Sequence, residues 1–157
     1  MKLLRALLLC LSLSCAPLLA QEPFKDLFAA GGSWNTQGSP QVNGMTLYAH
    51  QLGTGLYSFT LTDITPVQLR PRVVITTNMT TGLAQHLRNF AFARIYVLAT
   101  AGVGAGGENV GFAYSAGGAA VIPLGKSGLC LLPNIRVLKN TLSEFQGIYG
   151  LALGFGQ

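Results

Sequence analysis

Three glycines, Gly102, Gly104 and Gly107, spell G-x-G-x-x-G in the stretch AGVGAGGENVG, directly after the apolar run RIYVLAT. A dinucleotide-binding enzyme uses this spacing to aim backbone N–H groups at a pyrophosphate. It needs a helix after the last glycine and an acid about 20 residues further on to hold the ribose. Neither condition is met. The residues after Gly107, ENVGFAYSAGGAAVIP, alternate with period two, and after Glu108 the next acid is Glu144. The string reads as a hairpin with GGEN at its tip, and no nucleotide is expected.

The other reactive side chains are few. His50 and His86 stand alone, with no second and third ligand at a spacing that holds a metal. Five acids are spread thinly, so no pair of carboxylates is set up for acid–base work. Cys130 has neither a His nor an acid near it in sequence, and the bland reading is a packed or interior thiol. No cofactor, metal or catalytic residue is assigned, and the chain is read as non-enzymatic.

The elements that would position any site begin after a leader. Lys2 and Arg5, then the apolar stretch Leu7–Leu13, then PLLA before Gln21 have the layout of a secretory signal peptide. Cleavage after Ala20 is expected, giving a signal peptide at 1–20 and one domain at 21–157. The competing reading, a lipid anchor at Cys15, needs a lipobox that SLS does not complete. The remaining 137 residues keep eight basic and five acidic side chains, a net charge of +3. No basic run with interleaved aromatics remains, so nucleic acid is not an expected partner. Half of the chain is apolar and 10% is charged, against about 25% charged in an ordinary soluble domain.

Period-two alternation recurs along this domain. In LYSFTLTD, Tyr57, Phe59 and Leu61 share a face opposite Ser58, Thr60 and Thr62. Eight such segments are expected, at about 27–35, 44–52, 55–64, 72–80, 92–104, 109–122, 129–139 and 145–155. Pro133 makes the seventh the least regular and calls for an edge position or a bulge. A helical hairpin through Ile95–Gly107 and Val110–Gly125 is the alternative, but both runs are shorter than the roughly 20 residues a spanning helix needs. The last segment, FQGIYGLALGFGQ, is the most informative. Tyr149, Leu151, Leu153 and Phe155 occupy one face; apart from Gln146 and Ile148, Gly and Ala occupy the other. Large apolar groups opposite small uncharged ones suit a narrow closed barrel with lipid outside and small side chains inside.

With this leader, these alternating strands and this last segment, the chain resembles the small bacterial outer-membrane β-barrel proteins. The resemblance implies a closed antiparallel up-and-down transmembrane barrel of eight strands, placed in the outer membrane with both termini in the periplasm. Its implied partners are outer-membrane lipid and the barrel assembly machinery, which reads a C-terminal signal matched here by Tyr149, Leu151, Leu153 and Phe155. Gly156 and Gln157 follow the aromatic, a departure from the usual ending. Outer-membrane lipid A deacylases use a His-x-Ser pair, which neither His50-Gln51-Leu52 nor His86-Leu87-Arg88 supplies.

Inside such a barrel Arg72, Arg94, Arg136 and Glu144 are expected to face the lumen, because a charge in lipid costs about 2–4 kcal/mol near the midplane. Trp34, Tyr48, Tyr57, Tyr96, Tyr114 and Tyr149 are candidates for aromatic girdles, with core packing as the alternative for each. The expected role is envelope structure, minor permeability or surface interaction. A soluble periplasmic lipocalin-like barrel, its large groups turned inward around an apolar ligand, is the other reading.

Overall fold

The computed structural model describes residues 24–35, 42–69, 72–90, 92–141 and 145–157. Residues 1–20 with their two cysteines, and Glu144, lie outside the described residues. Eight strands follow in order: β1 (Asp26–Asn35), β2 (Val42–Gly53), β3 (Leu56–Leu69), β4 (Arg72–Phe90), β5 (Ala93–Gly106), β6 (Asn109–Pro123), β7 (Leu129–Asn140) and β8 (Gln146–Gly156). Each pairs antiparallel with its neighbours in sequence, and β8 returns to β1 with Phe155 opposite Phe28 and Tyr149 opposite Trp34. The sheet is a closed barrel with no free lateral edge. Both described termini share one rim with the turns after β2, β4 and β6, here called the terminal rim. The opposite end is the far rim.

The G-x-G-x-x-G string is the β5–β6 hairpin. Gly106 pairs with Asn109, and Gly107 holds a φ of 61° in the two-residue turn between them, a conformation that side chains with a Cβ disfavour. Gly102 sits on the inward face where β4 crosses closely: a Cβ there would lie 2.1 Å from the Met79 carbonyl oxygen. Gly82 on β4 is its counterpart, where a Cβ would lie 1.9 Å from the Ala99 carbonyl oxygen. Together they let two neighbouring backbones approach where a tight barrel must curve.

Three expectations are corrected. β3 runs to Leu69 and β4 to Phe90, well past 64 and 80. Their pairing continues to Leu69↔Arg72, beyond the last β2 pair, Gly44↔Ile64, and the last β5 pair, Thr76↔Gly106, so this hairpin overreaches its neighbours at the far rim. Pro133 needs neither an edge nor a bulge. The β6–β7 ladder skips Leu132 and Pro133 and resumes in the same register, while β7–β8 pairing continues through Leu151. The missing N–H costs rungs on one side only. Finally, Tyr57, Phe59 and Leu61 point inward and are buried, as is Tyr96, so Tyr57 and Tyr96 belong to no outer girdle.

That last correction divides the interior in two. Near the terminal rim it is apolar: Leu27, Ala49, Tyr57, Phe59, Leu98, Val121 and Leu132 form one cluster, with Tyr57 and Tyr96 meeting edge to face at 5.7 Å. Toward the far rim it is mixed, with buried Ser33, Asn43, Asn78, Thr100, Ser115 and Asn140 beside a small apolar cluster of Ala113, Leu138 and Ile148. The outer wall carries the exposed Val97, Val103, Ile135, Val137, Leu151 and Leu153. Aromatics lie toward both of its ends. Phe28 packs on Tyr48 at 4.6 Å beside Phe155, and at the other end Trp34 stands beside Tyr149 while Tyr114 contacts Phe112 and Phe145.

Candidate functional site

The boundary between the two interior halves is an ion pair. Arg136 on β7 donates from Nη1 to Asp63 Oδ2 at 2.7 Å, and from Nη2 to Asp63 Oδ1, crossing the lumen from β7 to β3. Both side chains are 2% exposed or less. The fork of the guanidinium matches the carboxylate, so each charge is held by two hydrogen bonds. Met45 lies against it, its Sδ 3.6 Å from Asn134 Nδ2 and 3.9 Å from Arg136 Nη2. Asp63 was not singled out in the sequence. Its signal was parity: it shares a face with Tyr57, Phe59 and Leu61, and a carboxylate on that face excludes lipid from it.

Above the ion pair, neutral side chains bond one another on the inner wall, the Asn pair across the lumen from β7 to β4 and the other two between neighbouring strands. Asn140 Nδ2 donates to Asn78 Oδ1 at 2.8 Å, Thr100 and Ser115 share a bond of 2.7 Å, and Asn35 Nδ2 donates to Gln146 Oε1 at 2.8 Å. Gly104 lies beneath the Asn pair, and a Cβ there would sit 2.0 Å from Asn140 Nδ2. A Gly104→Ala substitution is therefore expected to break that bridge and cost about 1–3 kcal/mol, the penalty for buried amides left unpaired. Urea unfolding of the folded barrel measures it, and Asn78→Ala should add little in the Gly104→Ala background.

The residues singled out from sequence fall in different places. Arg94, 5% exposed, sits inside the terminal rim against Tyr96. Arg136 is the ion-pair partner. Arg72 begins β4 in the overreaching hairpin, paired with Leu69, and Glu144 lies outside the described residues. Tyr149, Leu151, Leu153 and Phe155 form one outward stripe on β8. His50 and His86 are not brought together: His50 Nδ1 meets Asp26 Oδ1 at 2.8 Å on the terminal rim, where the Tyr48 hydroxyl also donates to Asp26, whereas His86 packs on Tyr96 and meets Asn89. Among the described residues no three His, Cys, Asp or Glu side chains gather as metal ligands. Cys130 is buried and free in the apolar half.

Below the ion pair the apolar half holds a partly open pocket of about 60 Å³, lined by residues that include Leu47, Tyr57, Phe59, Ala84, Ala119 and Leu132. A second void of about 20 Å³ shares several of these residues and reaches Arg136.

Known structures with this arrangement include eight-stranded outer-membrane barrels. Neisserial surface protein A superposes with a TM-score of 0.66 at 5% identity, over 84% of this chain and 96% of that one. The N-terminal β-barrel domain of Pseudomonas aeruginosa OprF gives 0.65 at 11% identity, over 87% and 100%. The Yersinia pestis attachment invasion locus protein Ail gives 0.58 at 11% identity, over 85% and 99%. No family model matches the sequence, and no curated protein matches it either. At these identities the likeness is one of fold: the chain has the closed antiparallel eight-stranded architecture of outer-membrane barrels.

Proposed function

We propose that the chain is a non-enzymatic barrel spanning the bacterial outer membrane, where it serves as a closed structural wall. One observation carries this reading: the outer wall is apolar over most of its middle and has aromatics toward both ends, as a lipid-embedded surface requires. Leu153, 54% exposed, has no reason to face water in a sheet that already has an interior. Closure leaves no unpaired backbone edge in the hydrocarbon, the condition for a sheet to span it. The lumen is crossed by the Arg136–Asp63 pair and the Asn78–Asn140 bridge, which favours a wall that does not conduct.

In this reading residues 1–20 direct export and the terminal rim faces the periplasm. The stripe of Tyr149, Leu151, Leu153 and Phe155 meets lipid and serves the assembly machinery as its signal. The lipocalin-like alternative gains from the inward Tyr57, Phe59 and Leu61, but it would leave the β5–β8 wall in water.

Cysteine placement separates the two. Leu151→Cys and Leu153→Cys variants in vesicles are expected to resist a membrane-impermeant maleimide and to react once detergent replaces the bilayer. Wild type, whose Cys130 is buried, serves as the background. Fast labelling in intact vesicles would remove these positions from lipid. Boiled and unboiled samples should also migrate differently on a gel.

A further inference from the structure

We propose that Ser33, Asn43, Asn134 and Arg136 hold internal water beside the ion pair, a binding site inside the barrel that goes beyond the wall role above. Among the described residues, four buried side-chain atoms have no hydrogen-bond partner: Ser33 Oγ, Asn43 Oδ1, Asn134 Oδ1 and Arg136 Nε. Ser33 is fully buried, and Asn43 and Arg136 are 2% exposed. A buried polar atom without a partner carries its whole desolvation penalty, so native interiors pair such atoms with protein or with ordered water.

Register and contacts bring the four together. Ser33 on β1 stands opposite Asn43 on β2 and, on its other side, opposite Gly150 on β8. Gly150 in turn stands opposite Asn134 on β7. A Cβ at Gly150 would lie 2.5 Å from Asn134 Nδ2 and 2.8 Å from its Oδ1, so the Asn134 amide lies over the bare backbone of β8, on the side of Ser33. That amide reaches Met45 on β2, whose Sδ also meets Arg136 Nη2. Asn43 precedes Met45 by two positions and is buried on the same face. The void of about 20 Å³ bordered by Asn134 and Arg136 has room for one water.

What such a site binds is set by its mixture of donors and acceptors. Arg136 Nε–H donates, the two amide oxygens accept, and the Ser33 hydroxyl does either. An anion would face both amide oxygens and the Asp63 carboxylate. A cation would face the guanidinium, and both Asp63 oxygens are already taken by Arg136. Water donates two hydrogen bonds and accepts two, and so complements all four atoms.

The test uses the full chain folded in phosphatidylcholine nanodiscs and labelled with nitrogen-15 at arginine, with magnetisation transfer from water to Arg136 Nε–H as the readout. That signal, assigned by its contact with the Met45 methyl group, is expected to show a water cross-peak of the sign given by a long-held molecule. The cross-peak should persist in Ser33→Ala, which excludes relay through that hydroxyl. Ser33→Ala and Asn43→Leu each remove one partner of the water. Each should lower the temperature at which the unboiled gel mobility is lost by about 3 °C. A dry site predicts the reverse, because removing an unpaired buried group relieves its desolvation penalty. Ser33→Ala alone decides this if Asn43→Leu fails to fold. No water cross-peak at Arg136, its loss in Ser33→Ala, or midpoints at or above wild type in the folded variants overturns the proposal.

Discussion

Replacing Arg136 with methionine is expected to destabilise the barrel by about 3–5 kcal/mol, because it leaves the Asp63 carboxylate buried without its counter-charge. Removing Asp63 alone, as Asp63→Leu, should cost a similar amount for the mirror-image reason. The double variant Asp63→Leu/Arg136→Met should recover most of the loss, since a pair of well-packed apolar groups of similar volume commonly matches a buried ion pair. Met45 already lies beside the bridge, so its surroundings accept a thioether. Urea unfolding in vesicles reads all three. Additive single losses in the double variant would mean that each residue works through other partners. Recovery would mean that the bridge contributes position across the lumen more than net stability.

Substituting Gly82 with valine should be more damaging, and at the stage of folding. The added Cβ would have to occupy space 1.9 Å from the Ala99 carbonyl oxygen and 2.7 Å from the Thr100 Cα, both backbone atoms that cannot swing aside. Overpacking against movable side chains costs about 1–3 kcal/mol, and a backbone obstacle on this scale exceeds that. Gly102→Val makes the equivalent collision with the Met79 carbonyl from the other strand of the same pair. Both variants are expected to give only the unfolded gel band, whereas Gly53→Val, where a Cβ meets nothing within 4 Å, should fold like wild type. A folded band from Gly82→Val at wild-type yield would mean that β4 and β5 can separate without breaking closure.

How far the sequence discloses this molecule depends on the contrast between the two faces of each strand. β8 is plain, because Tyr149, Leu151, Leu153 and Phe155 stand against glycine and alanine. β3 alternates as clearly but does not say which face is outside. Its apolar set points inward, and Asp63 was the residue that could have fixed the sign. The second half of β4 was not legible at all. Thr81, Leu83 and Gln85 face out while Gly82, Ala84 and His86 face in, so polarity no longer distinguishes the faces. The ion pair was half legible. Arg136 was marked by the energetic need to avoid lipid, but its partner lies 73 positions away and only the register of the whole barrel brings them together. The apolar pocket left no sequence signal, since its lining comes from residues far apart in the chain, among them Leu47, Ala84, Ala119 and Leu132.

Closure of β1 on β8 joins residues 27–35 to 148–156, nearly the two ends of the described chain. Loop-closure entropy must be met before that seam returns any energy, so the ring is the slowest kind of contact to make. Until it forms, the sheet has two open edges available to other chains. Once it has formed, no strand can peel away without first tearing a seam on either side of it. The lifetime of the folded protein is then governed by the height of an unfolding barrier as much as by the depth of its free-energy minimum, and denaturation and refolding curves measured over hours should not coincide.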